Sequence, residues 1–273
     1  MKRFNFGNDE NNSLAAGADH RDATQGGPPP LGVDNHRGLC PEESYRYCPD
    51  RRFFTPVHYT ARYAYPLIVY LHGAGNNVGE MTQVIQHISS RNYVAVGVGG
   101  NRSLDSAGTR FDWNLTAAGT DRAAESIQSA IDVARERYNI HDKRVVLVGR
   151  DSGGSMAIKL AAADPTRYAA VVSIGGHIPE LRLPAWQTTR GSKLPIRMQW
   201  GLNNPDYSTE SIQQDCQRSM MIRAKLEIGQ YPVQDEMDTV LLADIDRWVL
   251  ATVTGQSTIA DRSAKRSVQC SIN

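Results

Sequence analysis

Val145-Val-Leu-Val-Gly-Arg-Asp-Ser-Gly-Gly-Ser-Met-Ala-Ile-Lys-Leu160 is the stretch on which the reading of this chain turns. Its four leading apolar residues predict a short buried strand, Gly149 to Gly154 a sharp turn, and Ser155 to Ala163 a helix of small and apolar residues. A strand–turn–helix of this shape lifts one side chain above a parallel sheet and aims a helix N-terminus at it. Such turns usually read G-x-S-x-G, with serine at the tip. Here Gly149-Arg-Asp-Ser-Gly153 puts the Asp151 carboxylate at the tip and leaves Ser152 one place late.

Outward from the turn, strands and helices alternate. Pro66-Leu-Ile-Val-Tyr-Leu71 is a continuous apolar run ending in His72-Gly-Ala-Gly75, as expected of a central strand buried on both faces. Val78 to Ile88 has helical spacing, and Tyr93-Val-Ala-Val-Gly-Val98 is a second strand. A loop from Arg102 to Gly119 carries Phe111-Asp-Trp113. The helix expected from Asp121 to Tyr138 follows, with Ala124, Ile127, Ala130, Ile131 and Ala134 along one stripe. Beyond the turn the pattern predicts strands at Tyr168–Ile174, Leu194–Trp200 and Lys225–Gly229, and helices at Thr209–Ile222 and Thr239–Val253. This alternation predicts an α/β architecture with a mainly parallel sheet and helices on both faces.

The flanks differ in character. Residues 1–35, with Gly26-Gly-Pro-Pro-Pro30, read as a disordered extension because almost nothing in them can be buried. The folded domain is expected over 45–253, opening with an edge strand or hairpin at Tyr45–Tyr47 and Arg52–Phe54. Residues 254–273 read as a flexible polar tail. Lys and Arg total 30 against 29 Asp and Glu, which gives no electrostatic reason to expect nucleic acid or an anionic membrane as partner. No apolar run suits an export signal or a membrane span, so a cytoplasmic protein is expected. Cys40, Cys48, Cys216 and Cys270 form no C-x-x-C pair, and Cys40 and Cys48 are read as thiols in that setting. No standard metal spacing occurs and no cofactor motif stands out.

With these elements in order, the sequence resembles the α/β-hydrolase fold, in its phospholipase/carboxylesterase and acyl-protein thioesterase branch, with dienelactone hydrolases as cousins. The resemblance runs from about Tyr65 to Val253. His72-Gly-Ala-Gly75 resembles the oxyanion loop, Gly149-Arg-Asp-Ser-Gly-Gly-Ser-Met-Ala157 the nucleophile elbow, and Trp200-Gly201 the turn leading to the catalytic acid. Trp248 resembles the tryptophan that follows the catalytic histidine. It implies oxyanion donors at the N–H groups of Ala74 and Ser152, and a pocket lined by His72, Gly73, Trp113 and His177. In register, the triad positions hold Asp151, Asn204 and Glu236 in place of Ser, Asp and His, with Asp206 two residues beyond Asn204.

Acyl transfer on this fold needs a nucleophile, a proton-carrying histidine, an orienting carboxylate and backbone oxyanion donors. The seven histidines are His20, His36, His58, His72, His87, His141 and His177, so none lies beyond residue 177. Asp151 and Glu236 in one pocket would repel. They would need a shared proton, a bound amine or metal, or an Arg such as Arg102 or Arg150. In the other reading, the acidic residues around Glu236 are a solvated loop. The expected function is ligand or partner binding on a hydrolase scaffold without serine-esterase activity. The partner is a small molecule or a protein, and a homo-oligomer is compatible with the sequence. The alternative is an active hydrolase with Asp151 as carboxylate nucleophile on an ester, epoxide or halide, with Glu236 or His177 handling water, since epoxide hydrolases and aspartate-type dehalogenases carry Gly-x-Asp-x-Gly-Gly at the same elbow. A third reading makes Ser152 or Ser155 the nucleophile of an ordinary esterase.

Overall fold

A computed structural model describes residues 51–181, 193–233, 237–255 and the backbone of 267–269. Arg51–Phe54 (β1) is a half-buried edge strand, whereas Tyr65–Leu71 (β2) is buried along its whole length. Glu80–Ile88 (α1) leads to Val94–Val98 (β3). Two short strands, Arg102–Ser103 (β4) and Phe111–Asp112 (β5), pair with each other in the next loop. Ala117–Arg137 (α2), Ile140–Arg150 (β6), Ser152–Ala163 (α3) and Ala170–Ile174 (β7) follow. Pro195–Gly201 (β8), Thr209–Met221 (α4), Lys225–Tyr231 (β9), Thr239–Thr254 (α5) and Ser267–Gln269 (β10) complete the described elements.

The main sheet runs β1-β3-β2-β6-β7-β8-β9-β10. β1 and β10 pair antiparallel at the two ends, and every pairing between them is parallel. Alternation along the strands assigns the two cores. Leu67, Val69 and Leu71 of β2, with Val145 and Leu147 of β6, pack beneath Ile127, Ala130 and Ile131 of α2 and Met156 and Leu160 of α3. Ile68 and Tyr70, with Val146 and Val148, meet Met81, Val84 and Ile85 of α1 and Leu241, Ile245 and Trp248 of α5. With helices on both faces, the carboxyl ends of the parallel strands are where a ligand site is expected on such a sheet.

Several boundaries depart from expectation for local reasons. α2 begins at Ala117, earlier than Asp121, because Thr116 caps it by accepting from Gly119 N–H. α3 begins at Ser152, so Gly153 and Gly154 belong to the helix and the turn is a single residue. The polar stretch expected to be a loose tail contributes β10, which pairs with the outer edge of β9. Tyr45–Tyr47, residues 1–35, Cys40 and Cys48 lie outside the described residues. Among described residues no helix is long and apolar enough to cross a membrane.

Candidate functional site

β6 stops at Arg150 and α3 starts at Ser152, so Asp151 alone makes the turn. It does so at φ 47°, ψ −121°. Side chains other than glycine rarely sit at such positive φ, and the strain is on the order of 1–3 kcal/mol. Two hydrogen bonds hold it: Asp151 N–H donates to Ile174 O at 2.9 Å, and Ser155 N–H donates to Asp151 O at 3.1 Å. Close approach does the rest. A Cβ on Gly153 would lie 2.4 Å from the carbonyl oxygens of Leu71 and His72, and one on Gly176 would lie 2.2 Å from Asp151 O. Glycine is required at both positions.

The Asp151 side chain is 36% exposed, and its one ion-pair neighbour is Arg150 Nε at 3.8 Å, beyond hydrogen-bond reach. No hydrogen bond to its carboxylate is found among the described residues. Burial pushes its pKa above the usual carboxylate range. Arg150 opposes this, while the charges of Glu80, Asp206 and Asp112 add to it. Arg150 does not neutralise it fully, because its Nη1 donates to Glu80 at 2.6 Å and its buried Nε has no acceptor.

Glu80, on the first turn of α1, organises the loop of residues 73–76 that follows β2. It accepts from Gly73 N–H at 2.7 Å, Tyr70 O–H at 3.2 Å and Asn76 Nδ2 at 3.1 Å, besides Arg150. His72 is fully buried, and both ring nitrogens are used. Nε2 accepts from Gly100 N–H at 2.9 Å, which leaves Nδ1 protonated and donating to Gly73 O at 2.8 Å. Burial lowers its pKa, so it stays neutral and braces the loop. Trp113 is buried against the same loop, its Nε1 donating to His72 O at 2.9 Å. The N–H groups of Ala74 and Ser152, the two oxyanion candidates, have no acceptor among the described residues.

Ser152 Oγ turns away from the tip and donates to Asp112 Oδ1 at 2.5 Å. Asp112 also accepts from Trp113 N–H at 2.8 Å and from Arg102. Burial alone would raise this carboxyl, but these donors outweigh it and hold Asp112 below the usual range. So strong an acid is a poor base for activating a serine. Ser155 Oγ is likewise committed, donating to His177 O at 2.7 Å.

Of the other triad positions, Asn204 folds onto its own loop: its Oδ1 accepts from Asp206 N–H at 2.9 Å. Glu236 lies outside the described residues. His177 stands just beyond β7, where its Nδ1 donates to Asp215 Oδ2 at 2.7 Å. Its ring lies 4.4 Å from that of Tyr207, which stacks on Trp200 at 3.9 Å. Glu80, Asp112 and Asp215 went unnoticed as site residues. Glu80 looked like an ordinary helix-start acid, and Asp112 was hidden between two aromatics. Asp215 is the acid of a helix whose inward face cannot be read from so polar a stretch. No three His, Cys, Asp or Glu side chains converge as a metal site among the described residues. A groove of about 570 Å³ along α2, lined by Glu125, Gln128 and Asp132, is separate from the elbow.

The Esterase family model matches residues 49–270. Among solved structures, a carboxylesterase from Mesorhizobium loti superposes with TM-score 0.58 at 12% identity, over 73% of this chain and 93% of that one. A Bacillus cereus carboxylesterase gives TM-score 0.56 at 16% identity, over 74% and 93%. A phospholipase/carboxylesterase from Dyadobacter fermentans gives 0.54 at 11%, over 74% and 96%. A search of curated protein sequences finds no match. The parallel sheet, the strained elbow and a family match spanning most of the chain identify it as a member of the Esterase family, built on the α/β-hydrolase fold.

Proposed function

We propose that this esterase-family chain does not perform serine-based acyl transfer and that its elbow pocket binds a small molecule through Asp151. One observation carries the reading: a strained tip presents an accessible carboxylate that accepts no hydrogen bond among the described residues. Strain and a half-desolvated unpaired carboxylate are both costly, and they persist at positions that meet a ligand. A ligand offering N–H or O–H donors would satisfy Asp151. An acceptor on the same ligand would reach the free N–H groups of Ala74 and Ser152. The committed hydroxyls of Ser152 and Ser155 support the loss of serine chemistry.

A fluorophosphonate probe is expected to leave the protein unlabelled, and labelling at any serine would sink the proposal. Thermal-shift screening with small amides, amines and alcohols should find a ligand whose stabilisation is lost in Asp151→Asn. Asp151→Gly should relieve the strained φ. After subtracting glycine's extra chain entropy it is expected to gain about 1 kcal/mol, or roughly 2–4 °C in Tm, while losing ligand response. An Asp151→Gly protein less stable than the parent would contradict the strain argument.

The same tip also favours a second reading, Asp151 as nucleophile. One carboxylate oxygen would attack an epoxide or halide carbon, forming an alkyl ester on Asp151 as the C–O or C–halogen bond breaks. Peptide mass spectrometry after incubation with an epoxide would show the added mass on Asp151, absent in Asp151→Asn.

A further inference from the structure

We propose that the elbow takes a small ammonium compound with a carbonyl group one or two carbons from its nitrogen. The cation pairs with Asp151, and the carbonyl oxygen accepts from the Ala74 and Ser152 N–H groups. This names the ligand class for the binding function proposed above and rests on it.

Close packing brings the three protein groups together. A Cβ on Gly73 would lie 2.7 Å from Asp151 Oδ2, so the carboxylate stands directly against the Gly73 Cα. Ala74 N–H is the next backbone donor along the chain from that carbon. Ser152 N–H is the next donor after Asp151 and opens α3. The start of α3 is itself pressed on the same loop, since a Cβ on Gly153 would lie 2.4 Å from the carbonyl oxygens of Leu71 and His72. Neither N–H has an acceptor among the described residues. A carboxylate and two open donors therefore stand within a few bonds of one another, which sets the short spacing in the ligand. With its side chain 36% exposed, Asp151 can be met from solvent, and no enclosed cavity is needed.

Charge decides between a cation and a neutral donor. The guanidinium groups around the tip are committed elsewhere. Arg150 Nη1 donates to Glu80 at 2.6 Å, and Arg102 donates to Asp112, whose Oδ1 accepts from Ser152 Oγ at 2.5 Å. Arg110 Nε is turned to Gly75 O at 3.4 Å. Glu80 and Asp112 are thus each balanced by an arginine, and Asp151 is the negative charge left over, with Arg150 Nε 3.8 Å away. A neutral donor would fill one lone pair of Asp151 and leave that charge in place. An ammonium fills the lone pair and cancels the charge, and charge-assisted hydrogen bonds are about twice as strong as neutral ones. The nearby acids that hold the Asp151 pKa up act in the same sense, because they favour any added positive charge, proton or ammonium. At the other end, an uncharged carbonyl oxygen serves the two N–H groups without setting a second negative charge against Asp151.

NMR titration of the full chain with three probes tests this. Glycinamide has both groups, acetamide is the same amide without the ammonium, and ethylammonium has the cation without the carbonyl. Glycinamide should shift the Ala74 and Ser152 amide protons, lower the Asp151 pKa, and bind about tenfold tighter than acetamide. Ethylammonium should lower the Asp151 pKa and leave the two amides unmoved. Asp151→Asn should bring glycinamide down to the acetamide level. Should that variant fail to fold, salt decides in the parent: added salt should weaken glycinamide and leave acetamide unchanged. Acetamide binding as tightly as glycinamide, or glycinamide binding that ignores salt and Asp151→Asn, would overturn the proposal. If none of the three probes perturbs Asp151 while the wider screen finds a ligand lost in Asp151→Asn, the ligand class is wrong and the binding reading stands. If neither finds one, both fall.

Discussion

Glu80→Ala is expected to destabilise the protein by about 3 kcal/mol and to abolish any ligand response at Asp151, although Glu80 is remote from the tip in sequence. The Glu80 side chain is 5% exposed and gathers donors from β2, the loop after it and β6. Removing it strands Gly73 N–H, Tyr70 O–H and the Arg150 guanidinium together. Truncating one partner of a buried ion pair costs about 3–5 kcal/mol. The lower end applies here, because Arg150 is 25% exposed and keeps Asp151 as a neighbour. Freed from Glu80, Arg150 should turn its charge onto Asp151 and pull that carboxyl's pKa down. Chemical denaturation gives the stability, and NMR titration of Asp151 gives the second effect. Glu80→Gln keeps the shape but exchanges one acceptor for a donor, so it should fall between alanine and the parent. If Glu80→Ala unfolds at the parent midpoint, the loop is held by something else.

Glu80 also marks the limit of what could be read from sequence. The sheet was legible because burial on both faces leaves a local trace: β2 and the end of β6 are unbroken apolar runs that cannot be placed at a surface. The elbow was legible because glycines must stand where backbones nearly touch, as at Gly153. Polar partnerships leave no such trace. Asp112 meets Ser152 across 40 positions and His177 meets Asp215 across 38, and nothing in either local pattern marks the contact. The side chain of Asn204, the position in register with the acid, accepts from Asp206 N–H of its own turn. An imidazole–carboxylate pair does exist, but it belongs to His177, just past β7.

Asp244→Ala should be the most damaging single change away from the elbow, costing about 3–5 kcal/mol with no direct effect on Asp151. Asp244 sits on α5 with its side chain 8% exposed, facing Arg197 of β8, itself 9% exposed. One carboxylate oxygen accepts from both Arg197 and Tyr231 O–H, and the other forms an ion pair with Arg247 at 2.9 Å. Arg197 also donates to Gln199 Oε1 at 3.0 Å, and Gln199 Nε2 donates to Leu241 O at 3.1 Å, so a polar seam joins α5 to the sheet through otherwise apolar packing. Burial, with the Asp244 carboxylate adding to it, pushes the Tyr231 hydroxyl up to about 12, so it stays a donor through the physiological range. Without Asp244, Arg197 keeps Gln199, the Tyr231 hydroxyl at 2.8 Å and a distant Glu227 at 3.9 Å, which leaves a buried guanidinium without a close counter-charge. The loss comes mainly from that stranded cation. Arg197→Met in the Asp244→Ala background should therefore recover much of the stability, as removal of both buried charges costs less than removal of one. The exposed pair Arg135–Asp142 at 3.9 Å is the control, and breaking it should leave the unfolding midpoint unchanged. A double variant no more stable than Asp244→Ala alone would mean that the seam contributes through shape and not through charge.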